Sequence, residues 1–327
     1  MVKRRPAAFV AGASRGLGLL IARELSQRGF RVVIAARDPG ELDRAAARLA
    51  ESGHQVVTEA CDVADAGQVA DAVDRIERDV GPIEVMICVA GIIQVGPLRS
   101  VTRQQFSDAI DVMLWGPINT ALAVLPGMRD RGSGKIGVIA SVGGLIAAPH
   151  LLPYSTAKFG AVGFGRGLRS ELAGTGVSVT TVTPGLMRTG SHVRAEFAGR
   201  YRQEYAWFAA AASIPLLSMD AERAARRIVD GVLAGRSVVV LTPLAKIAPR
   251  IDALFPRSTS ALLGLTARLL PDAPDAAAST GTVEGQRAAA QLDPLPRRLL
   301  DAVTRWGLRA ARRFNERPDR IDEGSLG

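Results

Sequence analysis

The chain reads as a doubly wound α/β fold, a parallel sheet of about seven strands with helices on both faces, and three observations predict it. Short apolar runs of strand length recur near 7–12, 31–36, 56–60, 83–89, 136–141, 177–183 and 237–242. Amphipathic helical stretches separate successive runs, which is the alternation that buries both faces of a parallel sheet. The first run, Ala7–Ala11, leads into Gly12-Ala-Ser-Arg-Gly-Leu-Gly18 and then into a helix opening Leu19-Leu-Ile-Ala, so strand, glycine turn and helix follow one another directly.

That first turn is built to cradle phosphate. Gly12, Gly16 and Gly18 permit positive φ and a close approach of backbone to an anion, while the helix start offers unpaired N–H groups and a favourable dipole; Ser14, Arg15 and Leu17 fill the turn. The second strand, Arg31–Ala36, ends beside the place where such sheets hold an adenosine ribose. An acid there would accept from the ribose hydroxyls; the chain has Arg37 instead, with Arg15 nearby, and forked guanidinium groups suit an added phosphate. Right-handed crossovers bring the loops after the strands to one edge, so the glycine turn, Asp62, Gly91, Ser141 and Pro184 gather at a single site.

The fifth strand ends on Ser141, and thirteen residues later comes Tyr154-Ser-Thr-Ala-Lys158, at the head of a stretch that is helical through Leu172. A spacing of four puts the phenol and the ammonium on one face, a turn apart. A phenol with a pKa near 10 exchanges protons poorly at neutral pH, and a neighbouring cation favours its phenolate.

Taken in order, Gly12, Gly16 and Gly18, then Asp62-Val63, Ala90-Gly91, Ser141, Tyr154 with Lys158, and Pro184-Gly185 resemble the short-chain dehydrogenase/reductase family across roughly residues 5 to 245. The resemblance implies a Rossmann domain and an oxidoreductase that moves a hydride between NADP(H), rather than NAD(H), and a ketone or secondary alcohol. It makes Tyr154 the acid/base, Ser141 the partner of the substrate oxygen, and Lys158 a ligand of the nicotinamide ribose. It gives Asp62 and Val63 to the adenine, and the loop Pro184-Gly-Leu-Met-Arg-Thr189 to the nicotinamide carboxamide, through Thr189. No metal is implied. Two departures stand out: Met113 occupies the place of a usual Asn that steadies a helix kink and holds a water next to the lysine, and Cys88-Val-Ala-Gly91 lacks the usual asparagines. Asp111 and Asn119 are the polar neighbours of that position. Two rival readings share these residues, an isomerase or dehydratase without net cofactor turnover, and an NADP(H)-binding protein with weak or no catalysis.

The residues beyond the motifs divide the chain. Residues 1–245 form the Rossmann domain, 246–270 a helical extension near the substrate pocket, 271–296 a flexible linker, and 297–327 a basic amphipathic helix and tail. Phe197, Tyr201, Tyr205, Trp207 and Phe208, five of fifteen aromatics, read either as a lid for a bulky hydrophobic substrate of lipid, steroid or polycyclic type, or as packing. Leu299, Val303, Trp306, Ala310 and Phe314 recur at helical spacing, and six arginines against Asp301 leave +5 over 297–313; that suits peripheral contact with an anionic membrane, or a terminal helix docked on its own domain. The net charge of +9 lies on arginines scattered through Ala-rich helices, a solvated face rather than a nucleic-acid surface. Cys61 and Cys88 lack metal-ligand spacing and read as packing residues. With no secretory segment and no run of eighteen apolar residues, a cytoplasmic protein is the expectation; the family resemblance implies a homo-oligomer.

Overall fold

The structure is a computed structural model that describes residues 6–214, 218–273, 281–292 and 294–316, and not the side chains of 294–299 and 301–303. Seven parallel strands form the sheet: β1 (Ala7–Ala11), β2 (Arg31–Ala36), β3 (Val56–Ala60), β4 (Ile83–Cys88), β5 (Gly134–Ile139), β6 (Val177–Thr183) and β7 (Val238–Val240). Their order across the sheet is β7-β6-β5-β4-β1-β2-β3. The chain thus starts in the middle and winds outward both ways, leaving a crevice where β1 and β4 part.

Alternation along each strand divides the core. Ala8, Val10, Val32, Ile34, Val85 and Ile87 join the face covered by helices α1 (Gly16–Gln27) and α8 (Ala221–Leu233), with part of α2 (Pro39–Glu51). Ala7, Phe9, Ala11, Val33, Met86 and Cys88 face α3 (Ala66–Asp79), α5 (Gly116–Asp130) and α6 (Leu152–Glu171). A fully buried side chain such as Phe9 or Leu20 contributes on the order of 2 kcal/mol from apolar burial. Edge strand β3 is the more exposed one, as one-sided cover requires.

Helix starts are written in the sequence. Asp38 accepts from the Glu41 amide at 3.1 Å, Asp65 from the Gln68 amide at 3.0 Å, and Thr102 and Gln105 form a reciprocal capping box at the head of α4 (Arg103–Ile110). A π-turn, Asp111–Trp115, joins α4 to α5. The resulting run Arg103–Asp130 is long and apolar enough to cross a membrane by composition, its best 18-residue window having a mean hydropathy of 1.3, and it packs one side on α3, β4 and α6 with 39% of that window buried.

The C-terminal third departs from expectation. Part of the stretch read as a flexible linker is ordered: Val283–Glu284 pairs antiparallel with Glu196–Phe197, which also pairs with Gln94–Val95, and α11 (Gly285–Ala290) follows. The extension forms α9 (Pro243–Leu254) and α10 (Pro256–Leu269), and none of its residues lines the cleft described below, because the two helices lean on each other and α10 buries nothing. Helix α12 (Pro294–Arg313) packs against α7 (Tyr201–Ser213) and buries Ala310 and Ala311. The end of its apolar stripe, Ala310 and Phe314, therefore faces protein, Trp306 is exposed, and the side chains of Leu299 and Val303 lie outside the described residues. The contact is close: a Cβ on Gly190 would collide with the Ala311 backbone, and one on Gly307 with the Ser213 hydroxyl.

Candidate active site

The strand ends of β1, β2, β4, β5 and β6 open into one cleft of about 420 Å³. At one end lie Gly12, Ser14, Arg15, Leu17, Gly18, Arg37, Asp62 and Val63; at the other Ser141, Tyr154, Lys158, Pro184, Gly185 and Thr189, with Ala90 and Gly91 between them. Of the residues singled out from the sequence, Gly16 is the one not on the cleft wall. Gly12 sits at φ 85°, and a Cβ there would strike the Ala90 backbone, so only glycine lets the β1 and β4 loops touch. The N-cap position of α1 is Arg15, which makes no side-chain capping bond, so the helix start is left to another acceptor.

A dinucleotide fits these donors and spaces: a glycine turn that tolerates close approach, a helix start without a side-chain cap, and a cleft running from there to Tyr154. Asp62 accepts from the Ala64 amide at 3.0 Å, which fixes its loop. Arg37 is 65% exposed and stands 3.8 Å from Asp62, open to the cleft mouth. Arg15 is not free: its Nη1 reaches Glu41 Oε2 at 2.5 Å and its Nε lies 3.4 Å from Glu316. Glu41 also accepts from Ser14 Oγ at 3.0 Å and from Arg194 at 2.9 Å. The sequence reading missed Glu41, Arg194 and Glu316. Glu41 had a signal, an acid three residues past a capping Asp; Arg194 and Glu316 reach the site only through tertiary packing.

At the other end, Ser141 closes β5 in extended geometry and its Oγ accepts from the Gly143 amide at 3.1 Å. Tyr154 and Lys158 lie on the first turns of α6, and Lys158 Nζ stands 5.9 Å from the phenol ring centroid. Lys158 is buried, and its Nζ donates to the Ile139 carbonyl at 2.8 Å. Burial pulls its pKa down to about 8. Burial pushes the Tyr154 phenol up, and a hydrogen bond with Ser141 pulls it back. Of the two, burial is the larger influence on the phenol.

Met113 lies in the π-turn, fully buried against Gly91, Tyr154 and Ala157. The kink forms without the usual Asn, and its space is filled by a thioether, which cannot hold a water strongly. Neither polar neighbour takes that place: Asp111 is exposed, and Asn119 donates to the Val63 carbonyl at 2.9 Å, bracing the β3 loop instead. Cys61 and Cys88 are free and buried, with thiols pushed up by burial, Cys61 to about 11.

The aromatic group is not a lid. Phe197, Tyr205 and Phe208 are buried in a cluster of their own, with Phe197 and Tyr205 edge to face at 5.5 Å. Tyr201 donates to Gln291 at 2.6 Å and Trp207 to Glu204 at 2.7 Å; none of the five lines the cleft. Ring against ring offers more burial than ring against an open cleft.

Residues 6–197 match the family described as short chain dehydrogenase. A putative ketoacyl reductase of Streptomyces coelicolor is 36% identical over 184 residues, 56% of this chain and 70% of that protein. The 17-beta-hydroxysteroid dehydrogenase 13 of Rattus norvegicus is 28% identical over 251 residues, covering 76% and 78%. The structure of a variant actinorhodin polyketide ketoreductase with NADPH superposes with a TM-score of 0.66 and 28% identity, over 75% of this chain and 99% of that one. With a family match over more than half its length, on a sheet whose strand ends gather Gly12, Ser141, Tyr154 and Lys158, the chain belongs to the short chain dehydrogenase family of oxidoreductases.

Proposed function

We propose that this enzyme interconverts a bulky hydrophobic ketone and its secondary alcohol with NADP(H). The observation that carries the reading is the placement of Ser141, Tyr154 and Lys158 on one wall, with Lys158 one helical turn past Tyr154, at the far end of a cleft that begins at the glycine turn. When bound, NADPH supplies the hydride; the glycine turn, Asp62, Val63, Thr189 and Lys158 are the residues that would hold it. Arg37 at the cleft mouth supports the phosphorylated cofactor, as does the NADPH carried by the related ketoreductase.

The protein's own part is to place and move one proton. Ser141 Oγ orients the substrate oxygen, and the Tyr154 hydroxyl gives that oxygen its proton in reduction or takes it in oxidation. Lys158, anchored on the Ile139 carbonyl, places a positive charge beside the resulting phenolate. Ile92, Ile93, Val112, Met113 and Met187 line the cleft around this end, an apolar wall that supports an apolar substrate.

Following NADPH consumption with a panel of hydrophobic ketones tests the reading. Tyr154→Phe should retain cofactor binding and lose on the order of 10²–10⁴-fold in turnover. Equal turnover by the variant removes Tyr154 from the mechanism. Binding without turnover of any ketone by the parent leaves a cofactor-binding protein, the reading that Met113 favours. We further propose a cytoplasmic enzyme, in keeping with two buried free thiols, and a homo-oligomer.

A further inference from the structure

The first N–H of α1, that of Gly16, donates to the carbonyl of Phe314 at 2.7 Å. The chain thus brings its own C-terminal residues to the phosphate end of the cleft. Asn315 follows in the left-handed region at φ 60°, and its amide donates to the Ser14 carbonyl at 2.8 Å and the Glu41 carbonyl at 3.4 Å. Glu316 then turns its carboxylate against Gly16 and into the cleft wall. That side chain is 5% exposed; its Oε2 has no hydrogen-bond partner and faces Arg15 Nε at 3.4 Å. Arg194 completes the knot, donating to the Glu316 carbonyl at 3.1 Å, to Glu41 at 2.9 Å and to Glu284 at 3.3 Å.

A phosphate at a helix start takes backbone N–H groups and a guanidinium. Here a carbonyl and two carboxylates already hold them. We propose that Phe314-Asn315-Glu316 is a latch that competes with the dinucleotide for the start of α1 and for Arg15, so that the cofactor enters by displacing it. The proposal rests on the reading of the cleft as a dinucleotide site. The latch is well anchored on one side, where Ala310, Ala311 and Phe314 are buried and Gly190 and Gly307 allow α12 to close in. Its tip is the opposite, a carboxylate placed out of water beside a second acid. Three charged groups face it: Arg15 at the head of α1, Arg194 on the loop after β6, and Glu41 on α2; burial and Glu41 outweigh the two cations and raise its pKa to about 7.

The sign of the pH effect follows. Docked Glu316 holds its proton up to about 7, whereas a released one loses it near the ordinary 4.5, so docking is favoured at acid pH and loosens as pH rises between those values. Calorimetric titration with NADP⁺ tests this in the full chain. Asn315→Gly keeps the left-handed turn and removes two hydrogen bonds, and should bind about tenfold more tightly. Glu316→Gln mimics the protonated latch, and should match the parent only near pH 4, below both values, and bind more weakly than the parent by well over tenfold at pH 8. Hydrogen exchange over 304–316 should speed up when NADP⁺ is added to the parent. Tighter binding by Glu316→Gln at pH 8 would show a fixed carboxylate that only repels phosphate, and slower exchange would show a tail that closes over the cofactor; either overturns the latch. Equal binding by parent and Asn315→Gly overturns it while leaving the dinucleotide reading intact. No binding by any form removes both.

Discussion

Lys158 concentrates the electrostatic cost of the site. An ammonium with one hydrogen bond, to the Ile139 carbonyl, sits buried at the foot of the cleft. Its pKa of about 8 against the ordinary 10.5 means that the folded, cofactor-free protein binds it less well as a cation than the unfolded chain does. The penalty is fully present below about pH 8 and fades as pH rises toward 10.5, on the order of 3 kcal/mol at most. Lys158→Met should therefore be more stable to urea than the parent at pH 7, with the gap narrowing by pH 10. Comparing the two proteins removes the opposing contribution of Cys61, whose raised pKa costs stability between about 9 and 11. A gap that stays constant with pH would mean that the charge of Lys158 is compensated in the resting protein. Met113 bears on the same residue: where a polar side chain would keep a water at hand, a thioether leaves Lys158 dependent on the Ile139 carbonyl.

Among the elements, the central strands and the helices between them were legible because their signals are local. Apolar runs of five to seven residues, Asp38, Asp65 and Thr102 at helix starts, and glycine at a turn each act within a few positions. The meeting of Ser141, Tyr154 and Lys158 in one cleft was legible for the same reason, since one strand end and one helical turn suffice to place them. The tail was not. Whether Ala310 and Phe314 meet lipid or protein is decided by the core of α1 and α8 that they join, far away in the chain, and the aromatic stretch 197–208 found a cluster with Val283, Ala288, Leu292 and Leu300 that no local pattern reveals. Glycine at 307 is the element-scale test. Gly307→Val would drive a branched side chain into Ser213 and His192, so α12 should lift from α7 at a cost of about 1–3 kcal/mol. The expected readout is faster proteolysis of the tail and a lower Tm; an unchanged protein would mean that α12 is not seated as described.

For the whole molecule, two uncovered surfaces bear on partners. Trp115, Leu122 and Phe159 are exposed on the π-turn, α5 and α6, and α5 carries no charge before Arg129, an apolar face suited to a second copy of the chain. Sedimentation at micromolar concentration should show a dimer that Leu122→Arg dissolves. The hairpin α9–α10 is different in kind. Leu244, Ile247, Ile251 and Leu254 recur at helical spacing along α9 and are 65%, 55%, 49% and 73% exposed, and Leu262, Leu265 and Leu269 continue the pattern on α10. Lys246, Arg250, Arg257 and Arg268 on the same two helices face one acid, Asp252. Apolar side chains among cations fit an anionic lipid surface, where burial of the stripe and attraction of the headgroups act together. The lipid contact that the sequence offered for α12 is thus predicted for α9 and α10. In flotation assays, the protein should rise with vesicles containing anionic phosphatidylglycerol, less with pure phosphatidylcholine, and less again in high salt. Replacing Ile251 and Leu254 by Ser should abolish flotation while leaving NADPH-dependent turnover intact, since neither residue touches the cleft. If the parent stays at the bottom of the gradient, or the variant floats as well as the parent, the hairpin is not a lipid-binding surface.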